Sequence, residues 1–118
     1  MRGTYWRTGE AMSKREPFRA QDLLSIDPLL IDRVRLAIMA ALNAVEGSIE
    51  FTELLSTLEL TRGNLAGHLR KLEESEFIVV HKEFVERKPR TTYRCTAKGR
   101  REFERYVAQM ESMIKGLR

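Results

Sequence analysis

The sequence predicts a mainly helical α+β domain, and three observations carry that expectation. Within residues 52–96, two short amphipathic helical patterns flank a tight turn. An apolar, β-rich run follows and folds back on itself around a basic tip, Val85-Glu86-Arg87-Lys88-Pro89-Arg90. A long helical period then closes the chain. These patterns divide the 118 residues into an N-terminal extension (1–26), a central domain (27–96) and a C-terminal helix (97–118).

Asp27-Pro28 reads as a helix start, with Asp as N-cap and Pro in the first turn, where its missing N–H costs nothing. Leu30, Val34, Ala37, Ile38, Ala41, Leu42 and Val45 then recur at three- and four-residue spacing, and Gly47 ends this first helix. Ser48-Ile49-Glu50 has room for a single short edge strand. Phe51, Leu54, Leu55 and Leu58 fall at i, i+3, i+4 and i+7, the stripe of a second helix.

A third helix is expected over residues 61–75, capped by Thr61 and buried through Leu65, Leu69 and Leu72. At 100° per residue, the face opposite those leucines holds Gly63, Gly67, Arg70 and Glu74, flanked by Arg62, Asn64, His68 and Lys71. Two glycines on an exposed helical face are unexpected, because each costs about 1 kcal/mol against Ala. Either they are tolerated, or they let the backbone approach a phosphate or a base edge closely; the polar donors around them favour the second reading. Arg can pair bidentately with guanine and Asn with adenine, and residues near the start of a groove-lying helix reach base edges. Arg62, Asn64 and His68 are therefore the candidates for base readout. Arg70 and Lys71 are candidates for phosphates, together with Gly63 and Gly67 and, at two helix starts, Thr52 and Thr61.

After Ser75 the period becomes extended. Phe77 to Phe84 and Thr91 to Thr96 form a hairpin, with Tyr93 and Cys95 facing inward and Thr92 and Arg94 outward. Pro89 cannot donate in a ladder and so belongs in the tip, leaving Arg87, Lys88 and Arg90 to project over residues 84–91. Thr96 can cap the last helix, where Phe103, Tyr106, Val107, Met110, Met113, Ile114 and Leu117 repeat at three- and four-residue steps. That stripe either packs on its own domain or pairs with the same helix of a second subunit. A helix at the chain's end has few neighbours of its own, which favours a homodimer. In the first segment, Phe18, Leu23, Leu24 and Ile26 are expected to pack, while Tyr5, Trp6 and Met12 lie among cationic residues that could pack across a dimer or reach DNA as an arm.

Charge distribution says more than the net +4. Residues 21–80 are acidic overall, whereas in residues 81–101 eight basic side chains face only Glu83 and Glu86, so the positive surplus gathers at the hairpin and the start of the last helix. A local field of that sign attracts polyanions.

Several classes are disfavoured. A chain of this length has no room for a two-domain enzyme with a deep cleft, and no nucleophile–His–acid set or Gly-rich phosphate loop can be read, so no catalytic residue and no cofactor is assigned. The single cysteine, Cys95, rules out an internal disulfide framework and points to a reducing setting; it reads as a small buried residue rather than an activated thiolate. His68 and His81 fall on different elements without a cysteine partner, so no metal site is assigned. The longest uncharged stretch, residues 36–45, is half of the ~20 residues that span a bilayer, and no apolar secretory leader is read at the start. A cytoplasmic protein without a membrane partner is expected.

Most of the chain, residues 27–114, resembles the small winged helix-turn-helix transcriptional regulators of the MarR and ArsR type. The resemblance is carried by Asp27-Pro28 with Arg35-Leu36-Ala37-Ile38, by Phe51-Thr52-Glu53-Leu54, by Leu60-Thr61-Arg62-Gly63-Asn64-Leu65 with His68-Leu69-Arg70-Lys71-Leu72-Glu73, and by Pro89-Arg90-Thr91-Thr92-Tyr93-Arg94 running into Thr96-Ala97-Lys98-Gly99-Arg100. It implies a winged helix-turn-helix domain with a two- to three-stranded antiparallel sheet and a long dimerisation helix. The third helix would enter the major groove of a pseudo-palindromic double-stranded DNA site, with the hairpin as wing on the backbone or minor groove. It leaves open an unidentified small-molecule effector. Three departures stand out: Glu59 and Glu76 occupy positions where relatives favour Gly, since the backbone there is left-handed, and Cys95 replaces a common Leu. The competing reading is a winged helix that docks a protein partner without specific DNA binding. RNA is less suited, because an A-form major groove does not admit a helix.

Overall fold

A computed structural model describes residues 18–117. The chain forms two compact units, Asp27–Glu104 and a second made by the segment up to Ile26 together with the segment from Arg105. Residues 1–17, including Tyr5, Trp6 and Met12, lie outside the described residues.

The central unit begins with a 3-10 turn, Pro28–Leu30, and only then the first α-helix, α1 (Arg33–Asn43). This corrects the expectation of one helix running from Asp27-Pro28 to Gly47. Asp27 does cap, accepting from Leu29 N at 2.9 Å, but what it caps is the 3-10 turn. Asp32 caps the α-helix instead, its Oδ1 accepting from Val34 N (2.8 Å) and Arg35 N (3.0 Å). Those two bonds hold the Asp32 carboxyl below its ordinary range, the bond from Arg35 N being the larger cause, and burial opposes them only in part. Ile38, Met39 and Leu42 form the buried stripe of α1, with Leu30 buried in the turn before it. Met39 was absent from the expected stripe.

Strand β1 (Ile49–Glu50) leads directly into α2 (Phe51–Leu58), which buries Leu54. Glu59 then turns the chain in the left-handed region at φ 55°, as the departure from Gly at that position anticipates. The third helix, α3 (Arg62–Glu74), starts at Thr61, whose hydroxyl accepts from Asn64 N at 3.2 Å, and it buries Leu65, Leu69 and Leu72. Glu76 follows at φ 63°, while Phe77 N donates back to the Leu72 carbonyl at 2.9 Å, closing the helix with a Schellman-type bond.

Strands β2 (Ile78–Val85) and β3 (Lys88–Cys95) pair antiparallel from Ile78↔Cys95 to Val85↔Lys88, and β1 adds to the far edge of β3 through Ile49↔Tyr93 and Glu50↔Thr92. The sheet has three strands in the order β1-β3-β2. Only Glu86 and Arg87 form the tip, at φ 53° and 70°, the two positive values that a type I′ hairpin turn requires. Pro89 is thus not in the tip but inside β3, opposite Phe84. A two-residue loop makes Val85–Lys88 the hydrogen-bonded pair, so Phe84–Pro89 is a non-bonded pair whose nitrogen needs no donor role toward β2. Thr92, expected outward, is buried, because β3 is the middle strand and Thr92 lies between Glu50 and His81. Tyr93 and Cys95 are buried as expected.

The last helix, α4 (Ala97–Gly116), is capped by Thr96, whose Oγ1 accepts from Gly99 N at 2.9 Å and donates to the Glu76 carbonyl. Gly99 alone in α4 is fully buried, and a Cβ there would overlap the Phe77 carbonyl. In the second unit Ile26 is buried and Leu23 half-buried, but Leu24, expected to pack, is exposed. It sits in a 3-10 segment, Ala20–Ser25, that has no buried residue. Among the described residues no helix is long and apolar enough to cross a membrane.

Candidate nucleic-acid interface

The outward face of α3 is where the expected contacts converge. Gly63, Asn64, Gly67, His68, Arg70, Lys71 and Glu74 line one shallow hollow of about 430 Å³. The buried leucines on the opposite side fix the rotation of the helix, so the polar set cannot turn away without exposing them. Among the described residues nothing lies within 4 Å of where a Cβ would stand at Gly63 or Gly67. The domain itself therefore does not require glycine at either position.

Two of the base-readout candidates have partners inside the domain. The Arg62 guanidinium lies 5.6 Å from the centre of the Phe51 ring, a cation–π arrangement that turns it back toward the start of α2. The His68 ring turns toward α1: its Nδ1 is 3.2 Å from Arg35 Nη1 and 3.9 Å from Asp32 Oδ1, and its side chain is 20 % exposed. Asn64 stays on the exposed side, as do Arg70 and Lys71. Thr52 is exposed on α2, apart from the residues of the hollow, and Thr61 spends its hydroxyl on the α3 cap.

On the wing, Arg87 occupies the turn and Lys88 opens β3, both exposed. Arg90 does not project freely: its Nε is 3.4 Å from Glu50 Oε1 and its Nη1 is 3.9 Å from Glu83 Oε2. Phe84 stands exposed beside these cations. Cys95 accepts a contact from Asn43 Nδ2 at 3.3 Å, and burial pushes its thiol above the ordinary range, the reverse of an activated thiolate. Among the described residues no group of His, Cys, Asp and Glu is placed to hold a metal.

Sequence reasoning gave no role to Arg35 or Asp32. Their i, i+3 spacing around a helix start was readable as a cap, but the partner that matters, His68, is 33 residues away from Arg35.

A helix-turn-helix whose second helix exposes a polar, glycine-bearing face, followed by a three-stranded sheet with a basic wing, defines the winged helix class. Residues 34–114 match the winged helix DNA-binding domain family, and the chain belongs to it. An uncharacterized protein of Methanocaldococcus jannaschii is 37% identical over 84 residues, which cover 71% of this chain and 90% of the relative. Among solved structures, the transcriptional regulator homologue protein from Pyrococcus horikoshii OT3 superposes with a TM-score of 0.75 at 32% identity, covering 82% of this chain and 97% of that one. The MepR–DNA complex of S. aureus has a TM-score of 0.65 at 18% identity, over 79% of this chain and 73% of MepR, and so shares the fold.

Proposed function

We propose that this protein is a homodimeric, sequence-specific double-stranded DNA-binding transcriptional regulator. The observation that carries the reading is the face of α3: polar side chains gather around a hollow at two glycines that the domain's own packing does not need. In this reading α3 lies in the major groove. Asn64 and His68 meet base edges, while Lys71, Arg70 and the backbone at Gly63 and Gly67 meet phosphates. Arg62, held over Phe51, reaches DNA only by leaving that ring. The wing, through Arg87 and Lys88, holds the backbone or minor groove without regard to sequence. That MepR has been seen on DNA and shares the fold supports the arrangement.

The dimer reading rests on α4. Val107, Ile114 and Leu117 are exposed, and Phe103, Tyr106, Met110 and Met113 are only half-buried. A pair of such helices would give a pseudo-palindromic site.

The test is a gel shift of the full chain on genomic fragments with excess nonspecific competitor. Discrete fragments should stay shifted, and with roughly eight phosphates neutralised per dimer, log affinity should fall against log salt with a slope near −7. Loss of every shift to competitor would overturn specific binding and favour the protein-docking alternative.

A further inference from the structure

We propose that Arg35 fixes His68 as a hydrogen-bond donor to DNA: the guanidinium on α1 holds the imidazole of the recognition helix in its Nε2–H form, so the DNA atom it meets must be an acceptor. The inference deepens the DNA-binding reading above and rests on it.

The chemistry follows from what each group can offer. A guanidinium carries only N–H donors and stays charged, so a hydrogen bond across the 3.2 Å between Arg35 Nη1 and His68 Nδ1 uses the ring nitrogen's lone pair; Asp32 Oδ1, the acceptor on the same side, is farther from Nδ1 at 3.9 Å. A neutral imidazole with a lone pair on Nδ1 carries its proton on Nε2. Arg35 is itself well held: its Nε donates to the Leu29 carbonyl at 2.8 Å, its Nη1 is 3.9 Å from Asp32 Oδ2, and its side chain is 13 % exposed. Asp32 in turn is anchored as the α1 cap. The order of control runs from the 3-10 turn and the cap, through Arg35, to the ring on α3.

Among the described residues no partner is found for Nε2, and His68 lines the hollow together with Asn64, Gly67 and Lys71. An N–H delivered there pairs with purine N7, guanine O6, thymine O4 or a phosphate oxygen, and it is mismatched with the amino groups of cytosine and adenine. Arg35 does not touch DNA in this scheme; it is a positioning residue that acts through His68.

Two measurements on the full chain decide it. In the free protein labelled with 15N-histidine, long-range 1H–15N spectra at neutral pH should show the Nε2–H form for His68. Arg35→Met should shift that signal toward a mixture of forms, and Arg35→Lys, which keeps a donor, should restore it. A dominant Nδ1–H form in the wild type overturns the proposal. In fluorescence anisotropy on a fragment that the wild type retains, His68→Ala should bind about five- to tenfold more weakly, and His68→Gln, which keeps an amide donor, should recover part of the loss. A loss confined to certain sequences assigns the acceptor to a base edge; a uniform loss assigns it to a phosphate. Wild-type binding matched by His68→Ala overturns this inference alone, whereas a wild type that binds no fragment overturns the DNA-binding reading and the donor role with it. Thermal melts of each variant separate lost contact from lost fold.

Discussion

Arg90 Nε stands 3.4 Å from Glu50 Oε1, so a wing cation on the middle strand β3 is tied to the adjacent edge strand β1. Both side chains are 44 % exposed, and a pair of that kind contributes only about 0–1 kcal/mol to stability. Its larger consequence is electrostatic. Arg90 sits between two carboxylates, Glu50 and Glu83, whereas Arg87 and Lys88 have no ion pair among the described residues. Arg87→Ala and Lys88→Ala should each weaken binding to all DNA sequences alike and reduce the salt slope by about 1, with Arg90→Ala doing less. Anisotropy titrations over a salt series read this directly, and equal losses at all three positions would remove the distinction.

The glycines divide into two kinds, which a single set of Ala substitutions separates. At Gly99 a Cβ would overlap the Phe77 carbonyl, and backbone cannot yield as a side-chain end can. Gly99→Ala should lose about 1–3 kcal/mol by overpacking, offset by up to about 1 kcal/mol of better helix propensity. At Gly63 and Gly67 the space is open, so Ala should stabilise the fold by roughly 0.5–1 kcal/mol each. If those two serve close approach to DNA, the same variants that raise the urea midpoint should weaken DNA binding. Gly67→Ala that binds as tightly as wild type would show the glycine to be merely tolerated.

Glu59 and Glu76 hold left-handed backbone at φ 55° and 63°. An L-residue with a Cβ pays about 1–2 kcal/mol there, which Gly does not, although Gly gives back part of that through the freedom of the unfolded chain. Glu59→Gly and Glu76→Gly should therefore each stabilise by up to about 1 kcal/mol in urea unfolding, with Glu76→Gly the more informative because Phe77 N closes on Leu72 directly after it. Destabilisation by either would mean that the carboxylate makes an interaction worth more than the strain.

The acid limit follows from Asp32 and the alkaline limit from Cys95 and Tyr93; burial raises the Cys95 thiol above its ordinary 9.0, so its contribution is present below pH 9.0 and lost as pH rises through the folded value. Bonds from Arg35 N and Val34 N lower the Asp32 pKa in the folded state beneath its ordinary 3.8. The unfolded chain therefore binds that proton first, and the Asp32 contribution, present above pH 3.8, is lost as pH falls through the folded value. Tyr93 is raised above 10.0, by burial first and by Glu73 second, so its contribution is present below pH 10.0 and lost as pH rises through the folded value. Urea unfolding across pH should show stability rising out of the acid range and falling in the alkaline one. Asp32→Asn should flatten the acid limb while keeping a cap oxygen, and Tyr93→Phe the part of the alkaline limb that Cys95 does not supply; an acid limb unchanged in Asp32→Asn would assign it to other carboxylates.

How much of this was legible in the sequence depended on range. The leucine spacing of α2 and α3 and the caps Thr61 and Thr96 are local, and the structure follows them. The start of α1 was not legible, because Asp27-Pro28 and Asp32 are both good caps five residues apart, and a 3-10 turn followed by a helix leaves nearly the same apolar spacing as one helix. The hairpin tip was misplaced for a related reason: Glu86-Arg87 fills a turn normally marked by Asn-Gly, so the usual signal was missing and Pro89 became the only visible breaker. The His68–Arg35 contact joins two helices distant in sequence, and no periodicity encodes which way a half-buried ring will turn.

Among the described residues, the apolar stripe of the 20-residue α4 is half-buried at Phe103, Tyr106, Met110 and Met113 and exposed at Val107, Ile114 and Leu117, so apolar area remains to be covered. Pairing with a second copy would cover Val107, Met110, Ile114 and Leu117 and remove exposed apolar area at about 25 cal/mol per Å². A charge placed in that seam should prevent it: Met110→Glu or Ile114→Glu should convert a dimer to a monomer in sedimentation equilibrium, while a polar change on an outward position such as Glu111→Gln should not. The monomeric variants should keep the winged helix fold by circular dichroism and lose most of their specific DNA affinity, because one recognition helix would then read only one half of a site whose two halves lie ~34 Å apart. A wild type that sediments as a monomer at micromolar concentration, yet protects a full two-fold site from nuclease, would place assembly on the DNA itself; a monomer that protects a single half-site would remove the dimer from the mechanism.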